Sequence, residues 1–153
     1  MTSFEFIAAK RPSCSRCQRA QTACICQWIR PTSGATEVLI LQHPMEVKHA
    51  KGSARLLCLS LSNSRIEVGE SFVPLRLQEL LNAPWLANTS AQAQRLPILL
   101  YPELPHDTAK TRGALADITP QQIANPAKLR LIIIDASWRK SRTMLYLNPL
   151  LQD

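Results

Sequence analysis

Three short runs of apolar, mostly branched residues constrain how this chain can fold: Glu37–Gln42 (E-V-L-I-L-Q), residues 96–101 (L-P-I-L-L-Y) and residues 129–134 (L-R-L-I-I-I). Each is short for a helix and too continuously apolar for a sheet with one wet face, so each reads as a strand buried on both faces. Between them, Ala50, Ala54, Leu57, Cys58 and Leu61 recur at helical spacing, with an end expected near Ser62 and Asn63. Residues 65–68 suit a short strand before Gly69, residues 75–81 a short helix, and residues 138–147 a longer one stopped by Asn148 and Pro149. Residues 82–95 suggest no regular element, and residues 103–125 read as loop with one candidate helix at 119–124. Strands alternating with helices imply an α/β fold with a mostly parallel sheet. In such a sheet, ligands bind beyond the carboxyl ends of the strands. Three strand ends here carry suggestive residues: Gln42, His43 and Pro44; Leu100, Tyr101 and Pro102; and Asp135, Ala136, Ser137 and Trp138.

Ahead of the first run stand Cys14, Cys17, Cys24 and Cys26, in the order C-x2-C-x6-C-x-C. One C-x2-C pair also suits a redox dithiol; a second pair close behind it favours a closed tetrathiolate site for Zn²⁺. Such a site has no open coordination position, so its work is structural. Residues 10–30 therefore read as a zinc knuckle, and Pro31, Thr32, Ser33 and Gly34 as its turn-rich exit. This divides the chain into a zinc-binding segment, 1–34, and an α/β domain, 35–153. Cys58, the fifth cysteine, falls in an apolar helical stretch and is expected to be a core thiol.

Lys and Arg number 18 against 11 Asp and Glu, a net charge of +7. A surplus of that size favours polyanionic partners, nucleic acid above all. It is grouped: Lys10, Arg11, Arg16, Arg19 and Arg30 around the cysteines, Lys48, Lys51 and Arg55 next, then Arg139, Lys140 and Arg142. Few aromatics are interleaved, so the pattern suits phosphate contact rather than a base-stacking platform. No stretch reaches the roughly 20 apolar residues of a membrane-spanning helix. The first nine residues lack a secretory-signal pattern, which makes cytoplasm the expected compartment.

Taken together, the C-x2-C-x6-C-x-C cluster, the strand leading to His43-Pro44 with Glu46, the Gly52-Ser53-Ala54-Arg55 helix start, Leu100-Tyr101-Pro102 and Asp135-Ala136-Ser137-Trp138 resemble the DTW-domain family. These are tRNA-uridine aminocarboxypropyltransferases related to the SPOUT superfamily of knotted enzymes. The resemblance spans most of the chain, with two departures. Ser137 stands where threonine is usual, and the chain stops at Asp153 where family members continue. The expectation is a C-terminally truncated copy with an incomplete knot. The resemblance implies S-adenosylmethionine as donor, N3 of a tRNA uridine as acceptor, and Leu100, Tyr101, Pro102, Asp135, Ser137 and Trp138 as donor-binding residues.

Uracil N3–H is a weak acid, so a carboxylate near it aids its removal. Asp135 is the first candidate base and His43 the second; the competing roles are a helix cap or orienting group for Asp135 and a structural hydrogen bond for His43. Ser137 and the first helical N–H groups are candidates for an anionic group of the donor. Trp138 stacks on a base or packs in the core. Arg55 clamps an anion or is a solvated helical arginine. Arg16, Arg19, Lys51, Arg55 and Arg139 are the candidate RNA contacts. Three other functions fit parts of the pattern: a SPOUT-type RNA methyltransferase, a non-catalytic zinc-containing RNA-binding module and, least well, a dithiol redox protein.

Overall fold

A computed structural model describes residues 12–49, 51–85, 95–102 and 119–152. The N-terminal start, Lys10, Arg11, Ala50 and most of the loop expected after Glu103 lie outside these residues.

The strands form where the apolar runs stand. β1 (Glu37–Gln42), β2 (Ser64–Val68), β3 (Leu96–Leu100) and β4 (Leu129–Asp135) make one sheet in the order β2-β1-β4-β3, with every pair parallel. All six residues of β1 are buried, because β1 is paired on both edges and covered on both faces. Pro97 is tolerated inside β3 because, among the described residues, β3 pairs only with β4 and is an edge strand.

Alternation along β1 and β4 separates two layers. Val38, Ile40 and Ile133 face α1 (Ala54–Ser60), packing with Ala54, Leu57 and Leu61. Leu39, Leu41 and Ile132 face α2 (Pro74–Asn82) and α4 (Trp138–Leu147), meeting Leu77, Leu80, Leu81, Met144 and Leu151. α3 (Pro120–Ile123) is a single capped turn closed by Thr119 and Gln122. α1 begins at Ala54, later than the apolar spacing suggests. Pro44 diverts the chain first into a 3-10 turn, Pro44–Glu46, and His49, Gly52 and Ser53 lead from there to the helix. Cys58 is half-buried, with its sulfur 3.8 Å from the Ser64 carbonyl.

Arg130 is a charge inside a core strand. Its guanidinium is 1% exposed and donates to Glu37 Oε2 (2.7 Å) and to the Leu80 and Ala83 carbonyls (both 2.8 Å). The Leu80 carbonyl belongs to the last turn of α2, so Arg130 satisfies a helix end that lacks an intrahelical donor. Trp85 lies over it, 4.7 Å from ring centroid to guanidinium carbon, with Arg65 at the same distance from that ring. Burial pushes the Arg130 pKa down and the Glu37 carboxylate opposes the shift. Replacing Arg130 by Met strands the Glu37 carboxylate, which retains only Arg95 at 3.0 Å. A loss of about 3–5 kcal/mol is expected in urea unfolding. Asp135 lies five residues further along β4, roughly 16 Å away at ~3.3 Å per residue, so this cluster braces the end of the sheet remote from the strand termini discussed next.

Candidate active site and cysteine metal centre

The four cysteines converge. Their sulfurs all lie within 4.8 Å of one another, with Cys14 to Cys26 at 3.6 Å and Cys17 to Cys24 at 3.8 Å. A tetrahedral site with Zn–S bonds near 2.3 Å has sulfur–sulfur edges of about 3.8 Å, so the spacing fits zinc. The first pair sits on a tight ribbon in which Ser13 bridges Ala20, Cys14 N–H donates to the Arg19 carbonyl and Gln18 N–H to the Cys14 carbonyl. The second pair is presented by two 3-10 turns, Gln21–Ala23 and Cys26–Trp28. N–H groups of Ile25 and Arg19 point at the Cys17 sulfur and pull its pKa to about 6; those of Cys17 and Arg16 lower Cys14. Burial and then the neighbouring thiols push Cys26 up to about 12. Four sulfurs this close resist joint ionisation, and a divalent cation removes the conflict.

Gln18 holds φ at +61°, in the left-handed region, to close this ribbon. That conformation costs a non-glycine residue roughly 1–2 kcal/mol, while glycine adds about 0.5–1 kcal/mol of unfolded-chain entropy. Gln18→Gly therefore gains up to about 1 kcal/mol, to be seen as slower zinc release to a chelator.

Two of the arginines expected to touch RNA fasten the cysteine module to the sheet domain. Arg55 directs Nε (3.1 Å) and a terminal nitrogen (3.0 Å) at the Arg16 carbonyl, and Arg19 donates to the Gly52 carbonyl at 3.1 Å. A zinc tetrathiolate carries a formal charge of −2, which such arginines also offset. The side chains of Arg16, Lys51 and Arg139 are exposed. Thr32 bridges Leu61, pinning the exit of the module beside the end of α1.

At the carboxyl ends of the central strands, β1 and β4 pair Gln42 with Asp135 in register, and Gln42 Nε2 donates to Asp135 Oδ2 at 2.7 Å. A carboxylate only accepts, so this bond fixes which end of the Gln42 carboxamide faces it. Asp135 ends β4 and is half-buried; it does not cap the helix. Ser137 is the N-cap of α4, yet its hydroxyl makes no capping bond.

Trp138 opens α4 half-exposed, at 52%, and stacks on Tyr101 with centroids 5.5 Å apart and planes 8° apart. The Tyr101 hydroxyl meets Ser141 Oγ at 2.9 Å, which holds the pair against the helix. Leu100 and Pro102, either side of Tyr101, are exposed.

His43 is brought beside Asp135, since its N–H donates to the Asp135 carbonyl at 2.9 Å, but its ring is only 6% exposed. Nδ1 accepts the Met45 N–H at 3.1 Å and Nε2 lies 3.4 Å from Glu70. Both ring nitrogens are thus engaged in shaping the turn after β1. Glu46 meets Lys140 Nζ at 3.3 Å and ties that turn to α4. Sequence reasoning missed two polar residues here. The sequence marks Gln42 only as part of the strand-end group with His43 and Pro44, with no role of its own, and Asn148 only as a helix stop. Asn148 is 2% exposed, accepts the Phe72 N–H, and donates to the carbonyls of Glu70 and Met144, locking the loop that carries the His43 partner.

No helix among the described residues is long and apolar enough to cross a membrane. No solved structure matches the chain. The chain is 30% identical over 143 residues to "tRNA-uridine aminocarboxypropyltransferase A" of Arabidopsis thaliana, covering 89% of this chain and 51% of that protein. It is 29% identical to "tRNA-uridine aminocarboxypropyltransferase 2" of Macaca fascicularis and 27% identical to that of Mus musculus, each over 94% of this chain and 44% of the relative. It thus spans about half the length of these relatives. The DTW domain model matches residues 11–153, which contain the cysteine quartet, the Gln42–Asp135 pair and the Tyr101–Trp138 stack, and the chain therefore belongs to the DTW-domain family.

Proposed function

We propose that this chain transfers the 3-amino-3-carboxypropyl group of S-adenosylmethionine to N3 of a tRNA uridine, on a SPOUT-like α/β domain carrying a resident structural zinc ion. The observation that carries this reading is the placement of Asp135, a half-buried carboxylate oriented by Gln42, at the end of a central strand and three residues before a half-exposed aromatic stack. The names of the relatives support the reaction class. The donor fits what the site offers: an aromatic face on Trp138 for its purine, and the unused Ser137 hydroxyl at the α4 N-terminus for its carboxylate.

The donor supplies an electrophilic carbon on a sulfonium. Everything else falls to the chain. Asp135 takes the N3 proton, the freed N3 electron pair forms the new N–C bond at the γ-carbon, and the C–S bond electrons leave with neutral methylthioadenosine. All three carbons on sulfur are activated, so choice of the γ-carbon over the methyl is a matter of positioning by residues 100–102 and 137–138. Cys14, Cys17, Cys24 and Cys26 would hold a zinc ion with all four positions filled by sulfur, so it would supply structure and no catalytic chemistry. Exposed Arg16, Lys51 and Arg139 contact tRNA phosphates and set register without reading sequence.

Donor labelled separately in the methyl and the carboxypropyl carbons, incubated with chain and unmodified tRNA, tests the proposal by nucleoside mass spectrometry. Carboxypropyl label on uridine is the expected result. Methyl label would make the chain a methyltransferase instead. Bound tRNA with neither label would make it a zinc-containing RNA-binding module.

A further inference from the structure

A cleft of about 190 Å³ separates the cysteine module from the sheet domain. One wall is the module, with Cys17, Gln18 and Ala23; the other is the turn after β1 and the start of α1, with His49 and Leu56, and Gln42 lines it from the sheet. Its size suits a single ring, below the roughly 300–1,000 Å³ of pockets for drug-sized ligands. The walls are held apart at fixed distance by the Arg19–Gly52 and Arg55–Arg16 bonds. Exposed Arg16, Lys48 and Lys51 lie along the chain segments that form the two walls, where a nucleotide's phosphates need cations.

Resting on the transferase reading, we propose that this cleft receives the acceptor base, so that the zinc module is one wall of the catalytic pocket and Gln42 selects uracil. The selection follows from hydrogen-bond polarity. The Gln42 amide nitrogen is committed to Asp135, and no donor among the described residues reaches its carbonyl oxygen. Gln42 and Asp135 thus offer two adjacent acceptors. Uracil presents N3–H at the position where Asp135 acts; cytosine has a lone pair at N3 and can present a donor only through its exocyclic amino group, which displaces N3 from the carboxylate. The base must be unpaired to enter, since N3 lies on its pairing edge.

Ala23 is an exposed residue of the module, not a cysteine ligand, and its side chain can be enlarged toward the cleft. Ala23→Trp is expected to lower kcat/KM for tRNA about 10-fold or more. Zinc content, thermal midpoint and calorimetric affinity for S-adenosylhomocysteine should stay unchanged. Gln42→Leu should likewise reduce kcat/KM for tRNA without changing affinity for S-adenosylhomocysteine. Unchanged kcat/KM in Ala23→Trp would overturn the cleft while leaving the transferase reading intact. If the parent chain transfers nothing, that reading fails separately, and 4-thiouridine-substituted tRNA still tests the cleft by photocrosslinking. Crosslinks on the peptides of residues 42–56 that Ala23→Trp suppresses support it; crosslinks insensitive to Ala23→Trp refute it.

Discussion

If the proposed transfer is the chain's reaction, replacing Asp135 by asparagine is expected to lower the rate of uridine modification by about 10²–10⁴-fold, the range over which a positioned general base contributes. The substitution is nearly isosteric, and its amide oxygen still accepts the 2.7 Å bond from Gln42. What disappears is the charge and the ability to take a proton. Binding of S-adenosylhomocysteine and the unfolding midpoint should both persist. Single-turnover measurement with the protein in saturating excess over tRNA separates this from a binding defect, because the loss appears in the chemical step. An Asp135→Asn protein with full activity would move the base elsewhere, and the engagement of both His43 nitrogens makes that residue a poor replacement.

Loss of the metal is the second large effect. Cys17→Ser, or prolonged chelation, should remove stoichiometric zinc and unfold the module while the sheet survives. The division follows from what supports each part. Among the described residues of the module only Cys17 and Ile29 are buried and apolar, so its order depends on the four-sulfur cross-link. The sheet has its own cores on both faces of β1 and β4. Elemental analysis should report the lost ion, and hydrogen exchange should show protection lost over residues 12–30 but retained in β1 and β4. Arg55 then loses its Arg16 acceptor and the Gly52 carbonyl its Arg19 donor, and a modest fall in the midpoint of the remaining domain is expected from these part-exposed bonds. Uniform loss of protection through β1 and β4 would mean that the module is needed for the sheet itself.

The elements were largely legible because their signals are local. β1 and β4 are continuous apolar runs, and α4 is bracketed by Ser137 and by Asn148 with Pro149. The start of α1 was legible too, since the Gly52-Ser53-Ala54-Arg55 segment contains its first residue, Ala54. The cysteine quartet was equally plain, since its spacing is itself the geometry. The pairing of Gln42 with Asp135 was not legible. It depends on strand order, and nothing local indicates that the first and last strands are neighbours. The same holds for Arg19 and Arg55. Their charge is visible in the sequence, but its direction toward a backbone carbonyl is decided by how two modules meet.

The sheet order also bears on when the site can exist during synthesis. Gln42 and its partner are 93 residues apart, and among the described residues β3 has no neighbour except β4. Until the ribosome has released residues 129–135, β1 has one open edge and β3 has no sheet to join. Closing so distant a contact is entropically slow, and open strand edges invite association between nascent chains. β4 is therefore a keystone placed late: one insertion completes the sheet, buries Arg130 and brings the Asp135 carboxylate to the Gln42 amide. A chain released before that point has no partly working form; it has neither the fold nor the chemistry.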